Sequence, residues 1–121
     1  MIGKLLKRLE RLRARFDMFN NFVQKEINRG NYLEAIDFYR VLTLGSLVEA
    51  LRMKYNPLHY NFGIRYVHYE IPLEEIEKLE YLFFVKDEKD LQKKYHEGTR
   101  WFHEIVSEIN RKEIEKLIRK L

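Results

Sequence analysis

Residues 56–72, NPLHYNFGIRYVHYEIP, separate two parts of the chain that have the periodicity of α-helices. A connection within a compact domain usually has about 4–6 residues, and it is usually poor in aromatic side chains. This one is several times longer, and it contains four aromatic residues and two of the four histidines. Pro57 and Pro72 lie near its two ends. Proline and the residue before it disfavour a helix interior, so these prolines mark the boundaries of the flanking helices. We therefore expect helices on both sides and the functional residues around this loop.

Length and composition indicate one domain. A chain of 121 residues is in the usual range of a single domain. The absence of cysteine excludes disulfides and thiolate metal sites, and it fits a cytoplasmic location. No apolar run approaches the about 20 residues that span a bilayer, and the charged N-terminus does not resemble a signal peptide, so we expect no membrane partner. The 35% of charged residues is typical of thermophile proteins.

The first predicted helix covers residues 1–29. Its apolar residues recur after three and four positions, which is the spacing of a coiled-coil seam: Ile2, Leu5, Leu9, Leu12, Phe16, Phe19 and Val23. The seam is either buried in the chain's own bundle or paired with a second chain. We expect the other helices to cover only its second half, and therefore predict a homodimer through Ile2, Leu5, Leu9 and Leu12. Residues 1–15 also carry six basic side chains against one acid, a stripe that is either solvated or binds phosphate.

Residues 31–55 predict a central helix. Polar residues at every third position wind around it, because each residue turns a helix by about 100°, and large apolar residues fill the gaps. Such a helix is contacted from several directions, so some of its charges must be buried or line a groove. Asp37 with Arg40, and Glu49 with Arg52, have the spacing of ion pairs. These pairs are either structural or, for Asp37 and Arg40, part of a cleft.

Two further helices are predicted in residues 73–121. The first begins after Pro72 and the second at Asp87, whose side chain can cap it. Apolar residues at helical spacing continue from there to Leu121. Gly45 and Ser46 offer a small surface on the central helix for the close approach of another helix. The whole pattern predicts an all-α fold, an antiparallel bundle of four main helices with one long aromatic-rich loop.

The candidate ligand-binding residues lie in the loop of residues 56–72 and on the central helix. They are Asp37, Arg40, Tyr60, Phe62, Arg65, Tyr66 and His68. Rings beside a cation can stack on a base or sugar while Arg65 binds a phosphate or carboxylate; alternatively, the rings only pin the loop to the bundle. We expect Arg65 and these rings to form one wall of a cleft whose floor is the central helix. The histidine spacing does not suit a metal site, and we predict no cofactor.

Four stretches resemble the helical C-terminal domain of small nucleotidyltransferase proteins of thermophilic microbes. They are RGNYLEA (29–35), LGSLVEALRMKYNP (44–57), HYNFGIRYVHYEIP (59–72) and LEYLFFVKD (79–87). Such domains are similar to the substrate-binding bundle of kanamycin nucleotidyltransferase-like enzymes and, more distantly, to HEPN domains. The resemblance implies a substrate-binding or partner-binding module of a nucleotidyltransferase system, with a separate nucleotidyltransferase catalytic domain as its partner.

The sequence departs from both families at the residues of catalysis. The catalytic half of the nucleotidyltransferases has a Gly-Ser followed by Asp-x-Asp, and this chain contains no Asp-x-Asp. We therefore expect no enzyme activity from the chain alone. HEPN nucleases place an arginine four to six residues before a histidine, whereas Arg65 precedes His68 by three. A HEPN-like protein that binds or cleaves RNA, with RNA or a nucleotide as partner, is one alternative function, and a structural dimerisation domain is another.

Overall fold

The computed structural model describes residues 1–120, which form helices and turns without a strand. The helices are α1 (Ile2–Phe19), α2 (Phe22–Asn28), α3 (Tyr32–Phe38), α4 (Gly45–Tyr55), α5 (Val67–Glu70), α6 (Leu73–Phe83), α7 (Glu88–Glu108) and α8 (Arg111–Lys120). A π-helical segment, Tyr39–Leu44, joins α3 to α4, and a 3₁₀ turn, Pro57–His59, follows α4. The predicted all-α class is confirmed. Among the described residues, no helix has the length and apolar character needed to cross a membrane.

α4 lies at the centre of the molecule. Every residue from Ser46 to Met53 is buried, and α4 contacts α1, α7, α8 and the 3₁₀ turn. This position agrees with the sequence pattern, in which polar and apolar residues alternate around the whole circumference of the helix. A helix buried on all sides must satisfy its polar side chains with groups from its neighbours, and two of these pairings organise the site described below.

The predicted helix over residues 1–29 is divided at Asn20 into α1 and α2. The side-chain amide of Asn20 donates to Thr99 Oγ1 at 3.0 Å, and its Oδ1 accepts from Thr43 Oγ1 at 2.6 Å. Asn20 is buried between α7 and the π-helical segment, and the chain turns where this side chain enters the core. The apolar spacing continues across the turn and therefore conceals it. α2 ends just before Gly30, whose φ of 77° is the left-handed conformation common after a helix.

The predicted last helix, which begins at Asp87, is also divided, into α7 and α8, so the part of the chain after Pro72 forms three helices and not the two predicted. Asp87 caps α7 as predicted, because its Oδ1 accepts from the backbone N–H of Asp90 at 2.8 Å. Ile109 is extended, and Asn110 Oδ1 then accepts from the backbone N–H of Glu113 at 3.0 Å, which starts α8. The predicted end of the helical tail at Leu121 lies outside the described residues.

The inward face of α1 belongs to the core from Leu5 to Phe16, whereas Ile2 is half-buried and Phe19 exposes 36% of its surface. Leu5, Leu9 and Leu12 expose only 3%, 4% and 1% of their surface, because α1 packs on both α4 and α8. The prediction that this half of the seam projects from the domain is wrong, since α8 covers it. The physical basis for a homodimer through Ile2 and these three leucines is therefore lost.

Candidate functional site

One buried arginine holds the long loop against α4. Arg52 has no exposed surface. Its guanidinium donates to the carbonyl oxygen of Gly63 at 2.8 Å and to Glu70 Oε2 at 2.7 Å, and it also donates to the carbonyl oxygen of Arg65. A buried guanidinium needs acceptors for its N–H groups, and the loop curls around it to supply three. The backbone between Gly63 and Glu70 is fixed in this way.

His59 extends this network to the outer side of the loop. Its Nδ1 lies 2.6 Å from Glu70 Oε1, and its ring stacks on Phe62 with the centroids 4.0 Å apart. The Arg52 guanidinium lies 5.6 Å from the centre of the same Phe62 ring. The buried Oδ1 of Asn56, beside His59, has no hydrogen-bond partner in the described part of the chain. These contacts support the view that the rings at this end of the loop pack the loop onto α4.

A left-handed residue turns the loop toward α6. Tyr66 has φ 63° and ψ 14°, a conformation that is costly for a bulky residue other than glycine and needs support from its surroundings. The support comes from the preceding residue, whose carbonyl Arg52 binds. The turn places Ile64, Val67 and His68 on the side of the loop that faces α6.

A cavity of about 340 Å³ opens between the π-helical segment, the loop and α6. Its lining is mostly apolar, with three polar side chains, and consists of Arg40, Ile64, Val67, His68, Ile76, Leu79, Glu80, Phe83 and Phe84. This volume is at the lower end of the range for small-molecule sites. Arg40 belongs to the π-helical segment, and insertions of this kind in α-helices are frequent at functional sites.

A second cavity, of about 190 Å³, lies next to the first. Its lining is Tyr32, Leu33, Ile36, Val85, Lys86, Asp87, Glu88 and Leu91. Ile36 is one helical turn from Arg40, and Val85 follows Phe84 in the chain, so the linings of the two cavities are linked along the chain at two points. We call them together the α3–α6 groove. Leu33 and Phe84 on its rim expose 87% and 72% of their surface.

The turn between α6 and α7 fixes the end of the groove at Phe84. The buried Lys94 donates from Nζ to the carbonyl oxygen of Phe84 at 2.5 Å and pairs with Asp90 Oδ2 at 2.9 Å. Asp90 Oδ2 also accepts from the backbone N–H of Lys86 at 2.9 Å. This hydrogen bond, and then the one from Lys94, hold the pKa of the Asp90 carboxyl below its usual value. These hydrogen bonds fix the backbone at Phe84, whose side chain is exposed.

The groove contains two of the predicted ligand-binding residues, Arg40 and His68. Asp37 is exposed, 3.6 Å from the Arg40 guanidinium, and does not line the groove. The side chain of Arg65 is also exposed, and only its carbonyl takes part in the network around Arg52. The prediction that Arg65 and the aromatic rings form a cleft wall is thus wrong. Arg52 binds the backbone carbonyls of Gly63 and Arg65, and the Arg65 side chain points outward.

The predicted aromatic residues lie in other parts of the loop. Tyr60 packs on the core with the Arg8 guanidinium 5.3 Å from its ring centre, Phe62 stacks on His59, and Tyr66 exposes half of its surface. Arg8 in turn binds Glu49 at 2.6 and 2.7 Å, which raises the pKa of the guanidinium. Glu49 therefore pairs with Arg8 on α1. The i,i+3 spacing had suggested a pair of Glu49 with Arg52, which does not form. Ligand binding by any of these residues stays a prediction.

Sequence reasoning did not identify Arg52 and Glu70 as the residues that organise the site. Two signals were present: Arg52 stands in the last turn of a helix with large apolar residues on all sides, and Glu70 is the only acid in the loop. A buried arginine needs hydrogen-bond acceptors from its neighbours, and Glu70 is the first carboxylate that follows Arg52 in the chain.

The arrangement suits binding, because an apolar lining with a few polar groups is typical of ligand and partner sites. No group of three or more histidine, aspartate or glutamate side chains among residues 1–120 is placed to hold a metal ion. Comparison with protein-family models, with curated proteins and with solved structures finds no match to this chain.

Proposed function

We propose that the chain is the partner-binding helical module of a nucleotidyltransferase system and that a separate catalytic domain docks in the α3–α6 groove. The observation that carries the proposal is the exposure of large apolar side chains along this groove, above all Leu33 and Phe84. A contiguous apolar patch of this kind on a small domain usually marks a binding surface. The groove continues through two cavities, which suits an elongated segment of a protein better than one small molecule.

The chemistry of the lining favours a protein partner over a nucleotidyl acceptor. An acceptor must present a nucleophilic hydroxyl or amino group, and polar groups of this kind lose their hydrogen bonds in an apolar site. A partner segment with apolar side chains fits the groove walls, and one acidic side chain on it would face Arg40 and His68. Such a charge pairing fixes the register of an interface more than it adds affinity.

The four stretches that carry the nucleotidyltransferase resemblance meet at this site. The first supplies Tyr32 and Leu33, the third supplies Ile64, Val67 and His68, and the last supplies Phe83 to Lys86. The second carries Arg52, which fixes the loop. The resemblance and the groove therefore involve the same residues, and this supports a catalytic nucleotidyltransferase domain as the occupant.

The same proposal includes the finer features that the sequence predicts. The chain would be an antiparallel bundle of four main helical units, with α3 and α4 acting as one unit, and it would act in the cytoplasm. Alone it would transfer no nucleotide, because without Asp-x-Asp it has no site for the metal ion that neutralises the charge on the transferring phosphate. Arg65 and His68 are too close in the sequence for the HEPN nuclease pattern, so RNA cleavage is the weaker alternative.

The proposal is tested by affinity capture from a native lysate of the source cells with three forms of the chain. These are the unmodified chain, the groove variant Leu33→Asp with Phe84→Asp, and the control variant Leu73→Asp. Leu73 is as exposed as Phe84, at 70%, but lies at the start of α6 and outside the groove. All three should give the same circular dichroism spectrum, because the replaced side chains are on the surface.

We expect the unmodified chain and the control variant to capture a protein that contains Gly-Ser and Asp-x-Asp, identified by mass spectrometry. The groove variant should capture at least about tenfold less of this protein, since two buried apolar anchors at an interface contribute more than about 1.4 kcal/mol. Capture of proteins without this motif, or equal capture by the groove variant, would refute the proposal.

A further inference from the structure

α1 and α8 lie side by side and both present basic outer faces. α1 packs on α8, and the inner faces of both are buried through Leu5, Leu9, Leu12 and Ile114. Their outer faces carry exposed lysines and arginines: Lys4, Lys7, Arg11 and Arg15 on α1, and Lys112, Lys116 and Arg119 on α8. Two neighbouring helices from the two ends of the sequence thus each expose a basic outer face.

The net positive charge of the protein is on these two helices. α1 and α8 together have a formal charge of +7, whereas the rest of the chain has −3, which gives the total of +4. The field around the molecule is therefore strongly asymmetric, and a polyanion would approach from the side of α1 and α8.

The four cations on α1 form a straight row. Their steps of three, four and four residues keep them on one face of the helix, at intervals of about 5–6 Å along about 16 Å of its axis. Two other arginines of α1 have structural roles, because Arg8 binds Glu49 and Arg13 donates to the carbonyl oxygen of Val106 at 2.5 Å. The four residues of the row form no ion pair and no hydrogen bond within residues 1–120, and they are free to contact a ligand.

The character of the two faces selects among polyanions. A membrane-surface helix inserts its apolar face between lipids, but the apolar faces of α1 and α8 are in the core. A single-stranded nucleic acid is normally held by stacking on aromatic side chains, and residues 4–15 and 111–120 contain none. A protein interface usually has a central aromatic or apolar anchor, which this surface also lacks. Charge without stacking or insertion suits the backbone of a duplex.

We propose that the outer faces of α1 and α8 bind the phosphate backbone of double-stranded nucleic acid without sequence preference. A duplex presents one negative charge per about 1.7 Å of its axis, and two packed helices place their axes about 8–10 Å apart. Cations on both helices can therefore contact phosphates of one duplex at the same time. This inference concerns a surface other than the α3–α6 groove, and it does not rest on the nucleotidyltransferase proposal.

The test measures fluorescence anisotropy of labelled 20-base-pair DNA and RNA duplexes at several salt concentrations. The α1 variant combines Lys7→Gln, Arg11→Gln and Arg15→Gln, and the α8 variant combines Lys112→Gln and Lys116→Gln. The matched control, Lys89→Gln with Lys93→Gln and Arg100→Gln, removes the same charge as the α1 variant from exposed positions on α7. Comparison of the two triple variants separates local contacts from the effect of net charge.

We expect the unmodified chain and the control to bind at low salt with affinity that falls steeply as salt rises. The α1 variant should bind at least about tenfold more weakly, and the slope of log affinity against log salt should shrink by about 2–3, because each lost phosphate contact removes about 0.9. The α8 variant should lose about two contacts in the same way. The tighter of the two duplex arms identifies DNA or RNA as the better ligand.

Three outcomes would overturn the inference. One is the absence of binding to either duplex at tens of micromolar protein and low salt. Another is an equal loss of affinity in the α1 variant and the control, which would show that only net charge acts. The third is binding to vesicles containing phosphatidylserine without binding to the duplexes, because a membrane would then be the partner.

Discussion

At the scale of single residues, Arg52 links the sequence to the shape of the site. When the chain folds, the Arg52 guanidinium loses its hydrating water and donates instead to two loop carbonyls and the Glu70 carboxylate. These hydrogen bonds form only if the loop curls back over α4. Because Glu70 also contacts His59, the loop is joined at both of its ends to one guanidinium. The apolar wall of the groove, Ile64 with Val67 and His68, depends on this arrangement.

Replacement of Arg52 by methionine should therefore destabilise the protein strongly. Arg52→Met keeps an apolar stem but leaves Glu70 Oε2 and two loop carbonyls without the donor that they have in the fold, and removal of one partner of a buried ion pair typically costs about 3–5 kcal/mol. The matched control is Arg65→Met, whose exposed side chain should change the free energy of unfolding by less than about 0.5 kcal/mol. Urea denaturation followed by circular dichroism measures both, and equal losses in the two variants would contradict this account.

Local signals predicted single residues well where the partner was close in sequence. The cap of α7 by Asp87 depends on a residue within one turn of the chain, because Asp87 accepts from the backbone N–H of Asp90. The pairing of Glu49 with Arg8 and of Arg52 with Glu70 joins residues 41 and 18 positions apart. Spacing along one helix could not predict these pairs, because the i,i+3 rule compares only neighbours on the same helix.

At the scale of elements, the periodicity of apolar residues predicted helices but not all of their ends. The seam of α1 runs through the turn at Asn20 without a change of spacing, so only the buried amide reveals the break. The start of α8 did have a signal, since Asn110 followed by Glu113 is a capping sequence. Recognition of α8 as a separate helix would have shown that it can fold back over the first half of α1.

Two glycine substitutions near the contact of α7 with the π-helical segment and α4 should change the stability of the protein in opposite directions. A Cβ on Gly98 would lie 3.2 Å from Thr43 Cγ2 and 3.5 Å from Leu47 Cδ1, and Thr43 is held by its hydrogen bond to Asn20. A Cβ on the exposed Gly45 would meet only its own helix, at 3.6 Å from the Arg40 carbonyl oxygen. The close approach of α7 is at Gly98, whereas of the two small residues that the sequence suggested, Ser46 is buried and Gly45 is exposed.

We expect Gly45→Ala to stabilise the protein by up to about 1 kcal/mol through helix propensity. Gly98→Ala should gain the same propensity but lose more through crowding, since overpacking of a core typically costs about 1–3 kcal/mol. Thermal unfolding of the two variants provides the comparison. A Gly98→Ala variant as stable as Gly45→Ala would show that α7 can move away from Thr43 without cost.

At the scale of the whole molecule, one chain covers its own apolar seam and leaves two different surfaces free. α4 and α8 bury the inward face of α1, so the hydrophobic residues that predicted self-association instead stabilise the fold. Leu33 and Phe84 are among the exposed apolar side chains and lie along the α3–α6 groove, and the net positive charge is on α1 and α8. The sequence contained all these residues, but their assignment to inside or outside required the position of α8, which periodicity alone does not give.

The variant Leu9→Asp distinguishes a core leucine from a leucine at a dimer interface. If Leu9 is part of the core, the substitution removes a buried side chain and introduces a carboxylate there, which should cost more than about 3 kcal/mol and unfold much of the protein. The control Leu33→Asp changes an exposed leucine in the same way and should keep its helical spectrum and melting temperature. Circular dichroism and light scattering at tens of micromolar follow the two variants. A Leu9→Asp protein that stays fully helical and has half the mass of the unmodified protein would place this leucine at an interface between two copies and contradict its place in the core.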